Sequence, residues 1–165
     1  MHFKFRLFLS LLFCIFSCNT QHSEFYQASV IINRNVSSKT YNPMIFGGFI
    51  EHFGKQIYGG VFDPGSLLSD ENGFRNDVIE ALNELKVPVI RWPGGCFVDG
   101  YHWMNGVGNN RQPTDDIRWG VIESNTFGTH EFIELCRLLD AEPYICHNGL
   151  ADVQEMSDWV EYSNA

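Results

Sequence analysis

At 165 residues, 44% of them hydrophobic and 15% aromatic, the chain has enough apolar material for one domain with a real core, which excludes a disordered polypeptide. A formal net charge of −9 with only 11 Lys and Arg, mostly scattered, excludes a phosphate-binding nucleic-acid surface and favours an uncharged ligand.

The chain opens on a targeting segment. Lys4 and Arg6 precede an apolar run over residues 7–16 that only Ser10 interrupts. That is about half of the ~20 residues a membrane-spanning helix requires, so it predicts an export signal. The run ends in Ile15-Phe16-Ser17-Cys18, a small residue directly before a cysteine, which resembles a bacterial lipoprotein signal with Cys18 as the lipidated residue. A plain cleaved signal is the other reading, and in both cases residues 1–20 stand outside the fold. Cys96, Cys136 and Cys146 then remain, an odd set without regular spacing that is no disulfide framework. Cys136 and Cys146 are expected in the core. Cys96 alone sits in a loop.

Residues 28–32 form a short β run, followed by a polar stretch to residue 42 in which Asn35-Val36-Ser37 matches a glycosylation sequon by chance. Residues 44–50 predict a second strand, which leaves through Glu51-His52-Phe53-Gly54. Residues 55–74 are loop-like, with turn signals at Tyr58-Gly59-Gly60 and Asp63-Pro64-Gly65. Residues 75–86 predict a helix whose inner stripe is Val78, Leu82 and Leu85. It delivers the chain to a buried strand at Val87, Val89 and Ile90, which breaks into Pro93-Gly94-Gly95 and then presents Cys96, Asp99, Tyr101, His102 and Trp103. Strand, helix and strand in that order make a right-handed crossover with parallel strands.

Residues 104–126 predict a long irregular excursion, of the kind that is usually functional. A helix over 129–141 follows, with Phe132, Leu135, Cys136 and Leu139 inward, then a third strand over 143–146 ending in His147-Asn148-Gly149. Asp152-Val153-Gln154-Glu155 has the pattern of a capping box and starts a last helix with Val153, Met156 and Val160 on one face. The fold class is therefore α/β, with β-α-β-α-β-α order and a polar cluster at each strand exit: Glu51/His52, Cys96/Asp99 and His147/Asn148. An open doubly wound sheet and a (β/α)8 barrel both fit. No Gly-x-Gly-x-x-Gly follows the first strand, and a barrel needs ~250 residues. No cofactor is implied. A metal site from His52, Cys96, His102 and His147 is disfavoured, because no two of them show a zinc-like local spacing.

Five segments carry a resemblance to a known family: Phe49-Ile50-Glu51-His52-Phe53-Gly54, Arg91-Trp92-Pro93-Gly94-Gly95-Cys96-Phe97, Tyr101-His102-Trp103, Phe127-Gly128-Thr129-His130-Glu131-Phe132 and Glu142-Pro143-Tyr144-Ile145-Cys146. In this order they resemble the amino-terminal half of α-L-arabinofuranosidases of glycoside hydrolase family 51, over about residues 30–162. The resemblance implies an exported retaining hydrolase that releases terminal α-L-arabinofuranosyl groups from arabinoxylan, arabinan and their oligosaccharides. The implied fold is a (β/α)8 TIM barrel joined to a β-sandwich. Residues 28–32 would belong to the sandwich, 21–42 would be the amino-terminal strand and connection, and 43–165 would be the first three βα units.

By the same resemblance Glu51 and Cys96 contact the arabinose, Trp119 walls the leaving-group side and Asn148 stands at the third strand exit. Retaining hydrolysis needs two carboxylates about 5 Å apart. In the family these are a Glu in an Asn-Glu pair ending the fourth strand and a second Glu on a later strand. No Asn-Glu pair lies downstream of Asn148, and Asn83-Glu84 falls in the first helix. The expectation is thus a fragment without catalytic residues of its own, inactive alone. Its partner is an arabinofuranosyl saccharide, with contact to a membrane only through a lipid on Cys18 in the periplasm or at the outer surface, and an oligomer is possible in the full-length protein. The alternative is a non-catalytic surface lipoprotein that binds arabinose-containing sugars.

Overall fold

The computed structural model describes residues 26–33 and 40–165, which fall in two compact units, 1–39 and 40–165. Cys18, the signal segment and Asn35 lie outside the described residues. In the first unit, residues 26–33 carry no regular secondary structure, and Val30, Ile31 and Ile32 are exposed. The strand expected at 28–32 is not formed: a strand exists through its ladder with a neighbour, and no described strand pairs with this run.

The second unit is built on a parallel sheet. Its first strand is shorter than expected. Pro43 removes a backbone donor and Asn42 Oδ1 accepts from the Met44 N–H at 3.0 Å, which closes a 3-10 turn over Pro43–Phe46, so that only β1 (Gly48–Phe49) pairs. Helix α1 (Asn76–Leu85) has Asp77 in its first turn and ends at Lys86 in the left-handed conformation. Val78, Ile79 and Leu82 pack inward, whereas Leu85, expected on that stripe, is 72% exposed at the helix end.

Strand β2 (Val89–Trp92) is the centre of the sheet. It pairs in parallel with β1, Gly48 opposite Ile90 and Phe49 opposite Arg91, and with β5 (Glu142–Ile145), from Val89 opposite Glu142 to Trp92 opposite Ile145. The pleat splits β2 between two environments. Ile90 and Trp92 are buried; Trp92 stacks on Phe132 with centroids 5.0 Å apart and meets Trp159 edge-on at 6.0 Å. Arg91 lies on the opposite face, its guanidinium 5.1 Å from the Phe49 ring centre. In β5 the N–H groups of Glu142 and, just past its end, Cys146 turn toward β2, so the position of Pro143, which has none, faces the outer edge.

Residues 104–126 are not irregular throughout. After 3-10 turns at Val98–Gly100 and Trp103–Gly106, strands β3 (Thr114–Asp116) and β4 (Val121–Glu123) form an antiparallel hairpin, with Thr114 opposite Glu123. Arg111 anchors the segment. Its guanidinium donates to the Gly108, Asn125 and Thr126 carbonyls and, bidentately, to Glu131 at 2.8 and 2.9 Å. Glu131 in turn accepts from the Gly128 N–H at 2.8 Å at the start of α2 (Thr129–Leu138). Gly128 packs so close to Gly106 that a Cβ there would lie 2.1 Å from the Gly106 carbonyl oxygen.

In α2 Phe132, Leu135 and Cys136 are buried, as the periodicity predicts. Burial, with Glu142 adding, pushes the Cys136 thiol up to about 12, which makes it an inert core residue. Helix α3 (Val153–Ser163) is capped by Asp152, whose carboxylate accepts from the Glu155 N–H at 2.8 Å. Its buried residue is Trp159, stacked on Trp103 at 6.1 Å and donating to Thr129 Oγ1 at 3.0 Å. Val153 and Val160, expected inward, are 79% and 62% exposed, because the large aromatic, with its own hydrogen bond, sets the rotation of the helix.

Candidate functional site

The exits of β1 and β2 lie side by side. The Ile50 and His52 N–H groups donate to the Arg91 and Pro93 carbonyls at 2.9 and 3.2 Å, which carries the parallel pairing past the strands. Between them sits Glu51, its side chain 17% exposed, with Arg91 Nη2 donating to Oε2 at 3.3 Å. The turn beside it needs glycine. Gly94 has φ 145°, and a Cβ there would lie 2.8 Å from Glu51 Cβ and 3.2 Å from Oε2. The peptide before Pro93 is cis. Cys96 follows three residues after Pro93, exposed and free.

Beneath this surface His52 is buried in an aromatic box. Phe97 stacks on it at 4.3 Å and 13°, and Trp92, Tyr58, Tyr101 and Phe127 surround it. Both ring nitrogens are engaged. The Trp92 indole N–H donates to Nε2 at 3.1 Å, so Nε2 carries no hydrogen, and Nδ1 is the nitrogen that donates to Glu123 Oε2 at 2.9 Å. Glu123 also accepts from Tyr58 OH and, at 2.8 Å, from the Asn125 N–H. Burial raises its affinity for a proton, but the hydrogen bonds from His52, Tyr58 and Asn125 outweigh burial and hold the carboxyl below its ordinary range. Burial and the Glu123 carboxylate push the Tyr58 hydroxyl up to about 12.

Trp119 lies in the turn of the β3–β4 hairpin, 38% exposed, its ring 4.7 Å from that of Phe53. Asp116 Oδ1 accepts from the backbone N–H groups of Arg118 and Trp119, and the Arg118 guanidinium donates to Asp99 at 3.2 Å. Thus Glu51, Cys96 and Trp119 each sit next to an element held by the same buried cluster. Asn148 stands just past the end of β5, 4% exposed; its Oδ1 accepts from the Leu150 and Ala151 N–H groups and its Nδ2 donates to the Tyr101 carbonyl, so its amide shapes the loop after the strand. Asn83 and Glu84 are exposed on α1, as expected of a solvated helix face. Among the described residues no group of three or more His, Cys, Asp and Glu could hold a metal ion.

This arrangement coincides with a family match. Residues 81–164 match the family described as the α-L-arabinofuranosidase 1 domain. α-L-Arabinofuranosidase C of Emericella nidulans is 49% identical over 148 residues, 88% of this chain and 29% of that protein. The chain belongs to family 51 of the α-L-arabinofuranosidases. An intracellular exo-α-L-arabinofuranosidase of Bacteroides ovatus is 45% identical over 82% of this chain and 27% of its own length. A crystal structure of the Thermotoga maritima α-L-arabinofuranosidase in complex with arabinose superimposes with a TM-score of 0.70 at 52% identity, over 71% of this chain and 25% of that one. The chain therefore spans under a third of the length of these arabinofuranosidases.

Two site residues of this family 51 chain escape a sequence reading. Glu123 looks like one more acid in a polar loop, and Tyr58 like part of a turn. Only their convergence on His52, 71 residues before Glu123 and 6 before Tyr58, gives them a role.

Proposed function

We propose that this chain is the amino-terminal part of an exported, retaining α-L-arabinofuranosidase and forms one side of its arabinofuranose pocket. Its three parallel strands are the first of a (β/α)8 barrel, whose ligands gather at the carboxyl ends of strands. The observation that carries the reading is the placement of Glu51: a part-exposed carboxylate at a strand exit, oriented by Arg91 and bordered by a side-chain-free glycine. A furanose presents several hydroxyl donors and two ring faces, and a fixed acceptor with an aromatic wall suits both. Glu51 and Cys96 contact the sugar, Trp119 provides the wall and Asn148 shapes the third exit from behind. Its pairing with the Arg91 cation keeps Glu51 an oriented acceptor, which suits a role in binding sugar hydroxyls.

The test is hydrolysis of an aryl α-L-arabinofuranoside. The 165-residue chain is expected to show none, while a chain extended to the length of the relatives turns over and loses at least tenfold in kcat/KM when Glu51 becomes Ala. Turnover by the 165-residue chain would overturn the reading. Tight binding of arabino-oligosaccharides by this chain without turnover by any extended form would instead establish a non-catalytic binding protein. Export and lipid attachment rest on the pattern around Cys18; membrane fractionation is expected to release the Cys18→Ala chain.

A further inference from the structure

We infer that Glu123 is a positioning residue of the sugar site: by fixing the tautomer and place of His52 it sets the strand exit that carries Glu51 against the hairpin that carries Trp119. This rests on the proposed role of Glu51 and Trp119. The geometry is a chain of short contacts. His52 follows Glu51 directly, its backbone N–H is held by the Pro93 carbonyl at 3.2 Å, and its ring lies on Phe97, the residue after Cys96. Glu123 closes β4, four residues after Trp119. The 2.9 Å bond between His52 Nδ1 and Glu123 Oε2 is therefore a buried tie between both halves of the site. On the surface above it, Phe53 meets Trp119 at 4.7 Å.

The donor and acceptor count shows why a carboxylate is needed. Three donors converge on Glu123: His52 Nδ1–H, Tyr58 O–H and Asn125 N–H. Two carboxylate oxygens accept all three. A glutamine offers one acceptor oxygen and adds two N–H donors, so one donor must face another. If the amide nitrogen turns to His52, the imidazole must shift its hydrogen to Nε2, where the Trp92 indole N–H already points. If it turns the other way, Tyr58 and Asn125 lose their acceptor and β4 moves. Either outcome loosens the strand exit relative to the hairpin, while the Trp103–Tyr162 ring contact, at 4.9 Å, involves none of these groups.

The experiment is NMR on the isotopically labelled 165-residue chain with Glu123→Gln, combined with calorimetry using methyl α-L-arabinofuranoside. In the wild type the His52 ring is expected as the Nδ1–H tautomer, with a Phe53–Trp119 ring contact. In E123Q that contact is lost, the Trp103–Tyr162 contact is kept and arabinoside affinity falls at least tenfold. E123D, which keeps the charge but sets the carboxylate back by one methylene, is expected to behave alike and serves if E123Q does not fold. Retention of the Phe53–Trp119 contact in the folded variants, with only a lower melting temperature, would overturn the inference and leave Glu123 a purely structural residue. Failure of the wild type to bind the arabinoside would overturn the sugar reading alone, since the ring contact still decides the positioning role.

Discussion

Gly94 shows how closely one residue can be constrained by the site beside it. Its φ of 145° disfavours any L side chain, and its Cα hydrogen faces Glu51 Cβ where a methyl group would come within 2.8 Å. Gly94→Ala is expected to cost about 2 kcal/mol in a urea titration, the scale of one strained backbone position, and to weaken arabinoside binding further by displacing Glu51. An unchanged unfolding midpoint would contradict this. Glu123 and Tyr58 give a second prediction, in pH. The folded carboxyl of Glu123 lies below its ordinary 4.5, so its contribution is fully present above about pH 4.5 and is lost as pH falls through the folded value. Tyr58 is raised from 10.0 to about 12, so the folded state favours the neutral phenol; that contribution is present below pH 10 and lost as pH rises toward 12. Urea midpoints measured from pH 3 to 11 should fall on both sides. E123Q should flatten the acid limb. Tyr58→Phe should flatten the alkaline limb in part, because burial also raises Tyr101.

Among the elements, the 104–126 segment is anchored by the side chain of Arg111. Arg111 ties three backbone carbonyls to the carboxylate that caps α2, with both charged groups mostly shielded from water. Replacing it with Met leaves these acceptors unpaired, expected to cost about 2 kcal/mol. Limited chymotrypsin digestion should then cut the β3–β4 hairpin well before the sheet; equal cleavage of mutant and wild type would count against the anchor. The hairpin was not legible in the sequence, and the reason is physical. Its strands are three residues each, Thr-Asp-Asp and Val-Ile-Glu, too short to show a two-residue period, and the segment is tied down by an arginine that bonds backbone up to 15 residues away. The parallel strands and the three helices were legible because burial on one face leaves a pattern in the chain itself. The rotation of α3 was not, since Val153 and Val160 satisfy helical spacing as well as Trp159 does and only packing against Trp103 chooses between them. The strand exits and the Gly-Gly turn place Glu51, Cys96 and Asn148 in the chain, but that the Glu51 carboxylate meets an arginine and the Asn148 amide bonds loop backbone is decided by neighbours the sequence does not reveal.

At the scale of the second unit, the sheet is open. Among the described residues its order β1-β2-β5 leaves β1 and β5 each unpaired on one side, and the face opposite the helices shows Phe49 and Tyr144, 59% and 58% exposed on either side of Arg91. A groove of about 250 Å³ beside β5, lined by Ile133, Ile145, Met156, Trp159 and Val160 among others, adds apolar surface at that edge. Unpaired edges and exposed apolar faces favour association, and the net charge of −9 opposes it. The sedimentation coefficient of the 165-residue chain is therefore expected to rise with protein concentration, and to rise further with salt as repulsion is screened. Tyr144→Glu places a charge on the exposed face without touching the core, and should shift the chain toward monomer. If that same face lines a closed barrel in a chain of the relatives' length, the sign reverses: Tyr144 is then covered, an unpaired carboxylate there is costly to bury, and Tyr144→Glu should lower the melting temperature of the extended protein. Equal, small effects in both lengths would mean that the face stays in water whatever follows it, and the barrel reading would fail with it.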